Sequence, residues 1–153
     1  MVQHISDHLH AVLVLPPNAD VFDTSQVTKA VALKVYEDAH FLLLTGVGAT
    51  GTATVTAEAC SDAAGTGATA IPFKKSYQAA GADAADTWVA SVDVTAAGYA
   101  TPAGSKQLHA IDVDGRSLPD GLPFVRLKFT EVVNSPVIGG VVATAMGLMN
   151  FDK

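Results

Sequence analysis

Apolar residues in this chain recur with a period of two, and the stretch after its nucleotide-like glycine cluster shows what that period rules out. Gly46-Val47-Gly48-Ala49-Thr50-Gly51 follows the apolar run Phe41-Leu42-Leu43-Leu44, the order of strand and glycine loop found in dinucleotide-binding folds. Such a site needs a helix to open at the glycines, because the N–H groups and positive dipole end of its first turn hold the pyrophosphate. Gly51-Thr52-Ala53-Thr54-Val55-Thr56-Ala57-Glu58-Ala59 instead alternates Thr or Glu with a small apolar residue, the pattern of a half-buried strand. Thr and Val also lose rotamer freedom in a first helical turn. A ribose-binding acid belongs about 20 positions downstream, whereas Asp62 stands only 11 past Gly51. The glycines are therefore expected to form a hairpin turn without nucleotide affinity.

The same period predicts eight or nine short strands. Residues 8–15 place Leu9, Ala11, Leu13 and Leu15 on one face and stop at Pro16-Pro17-Asn18, since proline cannot donate to a ladder. A loop or single helical turn is expected over 20–28. Residues 30–36 and 40–45 are predicted to pair as a hairpin across Glu37-Asp38, and 51–60 with 69–77 as a second one. An exposed loop or short helix is expected over 78–86. The next strand carries Trp88, Ala90, Val92 and Val94 on one face, with Trp88 as a core anchor. Residues 107–113 close at Asp114-Gly115. Over 124–132, Val125, Leu127 and Phe129 point one way and Arg126, Lys128 and Thr130 the other. Residues 136–148 are apolar on both faces and interrupted by glycine, as for a strand covered on both sides or lying at a subunit contact. The expected core is Leu43, Val55, Phe73, Trp88, Val92, Leu127 and Phe129. No long stretch shows a 3.6-residue period.

These signals predict an all-β fold, an antiparallel β-sandwich or barrel-like domain of about eight strands with little helix. Residues 1–17 are expected as an N-terminal arm, its strand-like part 8–15 being either an arm or an edge strand, and 18–153 as a single β-rich domain. The arm has one apolar face and few charges to blunt its edge, so Leu9, Ala11, Leu13 and Leu15 are its expected partner-binding residues.

Composition narrows the function classes. Apolar residues make up 49% and charged residues 16%, against about 25% charged in a typical domain, a surface suited to packing against neighbouring subunits. The net charge is -6, with nine Lys and Arg scattered from Lys29 to Lys153, so no basic stripe is available for nucleic acid. The apolar run 137–149 has 13 residues and contains Gly139, Gly140 and Gly147, short of the roughly 20 a membrane helix requires. Residues 1–7 lack a positive region and 11–15 are too few for a signal peptide. Cys60 is the lone cysteine, which excludes an intramolecular disulfide and points to synthesis in a reducing compartment.

His4, His8 and His10 cluster, and His8 and His10 share a strand face at a spacing that can chelate zinc. Two ligands do not complete a site, and His40 or His109 could join only through the fold. Asp112-Val113-Asp114-Gly115 begins like a calcium loop, but position 121, where such a loop needs Glu, is Gly. Asp114-Gly115 reads instead as a tight turn. There is no Gly-x-Ser-x-Gly elbow, and 12 of the 15 acidic residues are Asp, mostly in turn-like positions. Neither metal, cofactor nor catalysis is expected.

From residue 39 to residue 149 the chain resembles the capsid decoration, or cement, proteins of long-tailed bacteriophages. The resemblance lies in Phe41-Leu42-Leu43-Leu44-Thr45-Gly46, Thr52-Ala53-Thr54-Val55-Thr56, the turn Ser61-Asp62-Ala63-Ala64-Gly65-Thr66-Gly67-Ala68 leading to Ile71-Pro72-Phe73, and Phe124-Val125-Arg126-Leu127-Lys128 before an apolar, glycine-containing end. It implies a non-enzymatic virion protein, made in the host bacterial cytoplasm, that binds the major capsid protein on the capsid surface, often as a trimer, and stiffens the lattice. Two alternatives stand beside it. One is another virion part, such as a tail-tube or head-completion protein. The other is a carbohydrate-binding or adhesin-like sandwich using Trp88, Tyr36, Tyr77 and Tyr99.

Overall fold

The computed structural model describes residues 10–48, 50–78, 88–103 and 106–148. Its strands are β1 (His10–Asn18), β2 (Ser25–Val27), β3 (Val31–Ala32), β4 (Tyr36–Thr45), β5 (Thr52–Cys60), β6 (Thr69–Ile71), β7 (Phe73–Gln78), β8 (Val92–Val94), β9 (Tyr99–Ala100), β10 (Leu108–Asp114), β11 (Phe124–Val133) and β12 (Gly139–Leu148). A 3-10 turn at Gly115–Ser117 follows β10, with the Asp114 carboxylate accepting from the Arg116 N–H. Asp114-Gly115 thus closes its strand as the sequence predicts.

Two sheets stack face to face, and the chain is an all-β sandwich. Sheet A runs β1-β12-β4-β10-β7-β8; sheet B runs β2-β11-β5-β6, with β3 added to β11 and β9 to β5. Every pairing is antiparallel. Alternation decides which side chains go between the sheets. Ala53, Val55, Ala57 and Ala59 of β5 and Val125, Leu127 and Phe129 of β11 are wholly buried, and they meet Phe41, Leu43, Ile111, Val113 and Val141 of sheet A. Alanines along β5 leave room for the larger residues opposite, the small-against-large fit that close packing demands.

The twelve described strands exceed the expected eight because five of them, β2, β3, β6, β8 and β9, are only two or three residues long. The first predicted hairpin does not form: Tyr36–Thr45 is one unbroken strand of sheet A, while Val31–Ala32 belongs to sheet B. Glu37 and Asp38, read as a turn, lie within β4, where the Arg116 guanidinium holds Glu37 at 2.6 Å. The second hairpin forms only in part. Ala57, Glu58 and Ala59 pair with Ile71, Ala70 and Thr69; Pro72, without an N–H, interrupts the strand, and β7 crosses into sheet A.

Gly46 to Gly51 joins β4 of one sheet to β5 of the other, so it is an inter-sheet connection and not a hairpin turn. A strand follows it, not a helix. The glycines answer to close approach: a Cβ at Gly51 would lie 2.0 Å from the Ser135 carbonyl oxygen, and one at Gly48 2.8 Å from Val137.

Residues 1–9 of the expected arm lie outside the described residues. From His10 on, the segment is the edge strand of the two expected readings and not a separate arm: it belongs to sheet A and pairs with β12 from His10 opposite Ala145 to Asn18 opposite Gly139. Pro16-Pro17 does not end it, because the register shifts between Leu15 and Asn18, and this irregularity takes the place of the ladder bonds that the prolines cannot donate. Val14 and Leu15 enter the core. The register shifts between Leu13 and Leu15, and this bulge turns Leu15 inward, off the face it was expected to share with Ala11 and Leu13.

Trp88 and Val92 are corrected as core residues. They are 44% and 48% exposed: of that stretch only 92–94 is a strand, at the far edge of sheet A, and within it only Val94 reaches the core. The other five predicted core residues are buried. β12 is paired on both edges, by β1 and β4, with Val141, Ala143 and Ala145 buried and Met146 exposed; it is covered on one face.

Candidate functional site

The outward face of sheet A carries the most unusual surface among the described residues. Register places its side chains in rows across the strands. One row runs Leu13, Val142, Leu42, Ala110, Ser76, and the next Gly140, Leu44, Leu108, Gln78. Leu13 and Leu44 are each 49% exposed and Ile138, just beyond Gly139, 50%. The outward face of sheet B differs: Thr54, Thr56 and Glu58 of β5 stand opposite Thr130, Lys128 and Arg126 of β11, with the Arg126 guanidinium bound to Glu58 at 2.8 Å. The outward face of sheet A therefore carries apolar rows toward the β1 side, whereas that of sheet B is threonine and charge along β5 and β11. A soluble monomer needs no contiguous apolar row on an outer face.

A third row borders the apolar one: Ala11, Thr144, His40, Asp112, Lys74, Asp93. Its last four members alternate in charge across β4, β10, β7 and β8. His40 Nδ1 lies 2.7 Å from Asp112 Oδ1, and Lys74 Nζ 2.7 Å from Asp93 Oδ1. The hydrogen bond to Asp112 raises the His40 pKa above its ordinary value, against a smaller opposing effect of burial. Beside this row opens a cleft of about 440 Å³, with Phe73, Val94 and Val113 on its apolar side and Asp38, Asp93, Asp112, Asp114 and Lys74 on its polar side. Its charge suits a cation better than an anion.

Between the sheets lies a buried polar cluster. The Gln107 side-chain amide donates to the carbonyls of Pro102 and Ala103, each at 3.3 Å, which leaves its oxygen to accept. His109 Nε2 stands 2.9 Å from that oxygen and so carries the proton; Nδ1 is then the acceptor for the Tyr99 hydroxyl, 3.1 Å away. Tyr77 and Tyr99 stack on the imidazole at 5.9 Å. The Lys75 ammonium lies 4.3 Å from the centre of the Tyr99 ring. Burial, with Lys75 adding repulsion, brings the His109 pKa down to about 4. Thr45 Oγ1 receives the Gln107 N–H at 3.0 Å, which fastens the end of β4 to the start of β10.

The structure disperses the other residues singled out in the sequence. Of the arm residues, Ala11 and Leu13 are exposed on the outward face of β1, Leu15 is in the core, and Leu9 lies outside the described residues, as do His4 and His8. His10 stacks on Tyr36 at 5.8 Å, His40 sits on the outward face and His109 in the interior. Among the described residues no group of three or more His, Cys, Asp or Glu is placed to hold a metal ion. Cys60 is buried, and desolvation pushes its thiol pKa up. No helix among the described residues is long and apolar enough to cross a membrane.

Sequence reading missed the charge row and the His109 cluster. Alternation signalled part of the first, since His40 and Asp112 each fall between buried neighbours. Nothing local signals the second, whose members come from β7, β9 and β10. No protein-family model, curated protein or solved structure matches the chain.

Proposed function

We propose that this chain is a structural virion protein that binds the outer surface of a phage capsid and stabilises its lattice, with the major capsid protein as partner. The observation that carries the docking half of the reading is the apolar row on the outward face of sheet A, Leu13, Val142, Leu42 and Ala110 with Leu44 and Ile138 beside it. Such a face gains free energy when covered, at about 25 cal/mol per Å² of apolar surface removed from water. The choice of a capsid as the covering surface rests on the sequence resemblance to decoration proteins. The test is co-sedimentation with undecorated capsids. Leu44→Lys is expected to abolish binding without changing the melting temperature, and Thr130→Lys on sheet B to leave binding intact. Binding that survives Leu44→Lys would remove this face from the interaction.

A second reading, a carbohydrate-binding sandwich, is favoured by the exposure of Trp88, which stands with exposed Val89 and Val92 at the β8 edge. Trp88 is the sole tryptophan, so its fluorescence reports directly. A saturable change on titration with oligosaccharides would support this reading over the capsid one.

A further inference from the structure

The edge of sheet A formed by β1 is built to be paired, and its details select the partner. Only β12 pairs with β1; its other side has no strand among the described residues. Edge strands are ordinarily protected by shortness, charge, proline or a bulge. The remaining edges use the first two: β2, β6 and β8 are each three residues long, and β8 also carries the exposed Asp93. β1 is nine residues long and its sequence, His-Ala-Val-Leu-Val-Leu-Pro-Pro-Asn, contains no Lys, Arg, Asp or Glu. Its bulge and prolines lie in the second half. There the Lys29 N–H also occupies the Val14 carbonyl at 2.9 Å. The first half, residues 10–13, is an unprotected edge.

The surface approaching this edge is equally unfinished. The apolar row Ala110, Leu42, Val142, Leu13 runs outward strand by strand and ends at Leu13, half exposed at the rim. A strand added beside β1 continues the row only if it too presents an apolar residue on that face. β1 itself does so, with Ala11 and Leu13. An antiparallel pair of identical strands is self-complementary, because a two-fold axis through one residue brings outward residues against outward residues. With the axis at Val12, Ala11 of one copy faces Leu13 of the other, and the inward face brings Val12 against Val12. About Val12 the pairing is limited to residues 11–13, because Val14, opposite His10, already gives its carbonyl to Lys29; an axis at Leu13 would require pairing at Leu15 and Pro16, beyond the bulge. Charge does not oppose this arrangement despite the net -6 of the chain. Within the row of Ala11 the first titratable side chain is His40, two strands in on β4, and the first acidic one, Asp112, is three strands in on β10.

We infer that β1 pairs antiparallel with β1 of a second copy of this chain, joining the two A sheets into one continuous sheet with Ala11 and Leu13 packed across the two-fold axis. The assembly unit is then two copies, where the resemblance implies three. The inference does not rest on the capsid reading, since it concerns the free protein.

Sedimentation equilibrium of the full chain over a concentration series tests it directly. The expected result is a one-copy to two-copy equilibrium that Leu13→Lys shifts wholly to one copy with an unchanged melting temperature. The register is tested by the double variant Ala11→Cys with Leu13→Cys, which on oxidation is expected to give a covalent two-chain band. Leu13→Cys alone faces Ala11 of the other copy and is expected to give none. A one-copy mass at every concentration, a three-copy mass, or a two-copy mass unaffected by Leu13→Lys would overturn the inference. Failure here with intact capsid binding leaves the proposed function standing, whereas loss of capsid binding in Leu44→Lys leaves this pairing untouched.

Discussion

The Tyr99 hydroxyl donates to Nδ1 of His109 across 3.1 Å of buried space, and this bond exists only while the imidazole is neutral. Protonation at Nδ1 would remove the acceptor and bury a cation beside the Lys75 ammonium. The folded pKa of about 4 lies below the ordinary 6.5, so the stabilisation is fully present above pH 6.5 and is lost as pH falls toward 4. The difference corresponds to about 3 kcal/mol. Urea denaturation of the native protein and of His109→Gln between pH 7.5 and pH 4 checks it: the native chain is expected to lose stability over that window by about this much more than the variant.

His40 has the opposite sign. Its pKa is raised, chiefly by the hydrogen bond to Asp112. Its contribution is fully present below pH 6.5 and is lost as pH rises through the folded pKa. His40→Gln should therefore be less stable than the native chain at pH 5.5 and nearly equal to it at pH 9. About a third of each side chain is exposed, which holds the expected effect below about 1 kcal/mol.

Leu127 is wholly buried while its neighbour Lys128 faces outward on β11. Leu127→Ala is expected to cost about 2 to 5 kcal/mol. Lys128→Gln should stay within about 0.5 kcal/mol. Equal losses in thermal denaturation would contradict the alternation on which the sandwich is built.

Two truncations separate the end of the chain from the sheet. Removing residues 1–9 leaves every described strand in place and is expected to preserve the melting temperature. Removing 1–17 deletes most of β1 and with it Val14 and Leu15, both core residues; a loss of about 3 kcal/mol or more follows from their burial alone, and circular dichroism should show an unfolded or molten chain. A cooperative melt at the native temperature would return this segment to the status of a separable arm.

Trp88 supplies a further contrast. Being 44% exposed at the β8 edge, it should cost less than about 1.5 kcal/mol on change to Ala, where a fully buried Trp costs about 3 to 5. Its emission maximum in the native protein should lie close to that of a solvated indole.

What the sequence determined by itself was the period. Alternation along 52–60 and 124–132 is a local property, legible because successive side chains of a strand must point to opposite faces, and it was enough to assign the all-β class, the inward residues Val55, Leu127 and Phe129, and the strand that follows Gly46 to Gly51 in place of a helix. Partnership between strands was decided only by the tertiary structure. Glu37-Asp38 looks like a turn until β10 and β12 pair with β4 on either side, with Asp38 opposite Asp114 and Met146. Pro16-Pro17 looks like a boundary until the strand, past a register shift, resumes pairing with β12 at Asn18 opposite Gly139. Trp88 looks like a core residue because apolar residues alternate after it, yet the strand begins only at Val92, on the edge of sheet A, and Trp88 falls outside it. The apolar row from Leu13 to Ala110 and the charges from His40 to Asp93 each draw one residue per strand, so register alone assembles them. Register is set by the packing of one whole sheet on the other, through contacts far apart in the chain, and no window of sequence contains them.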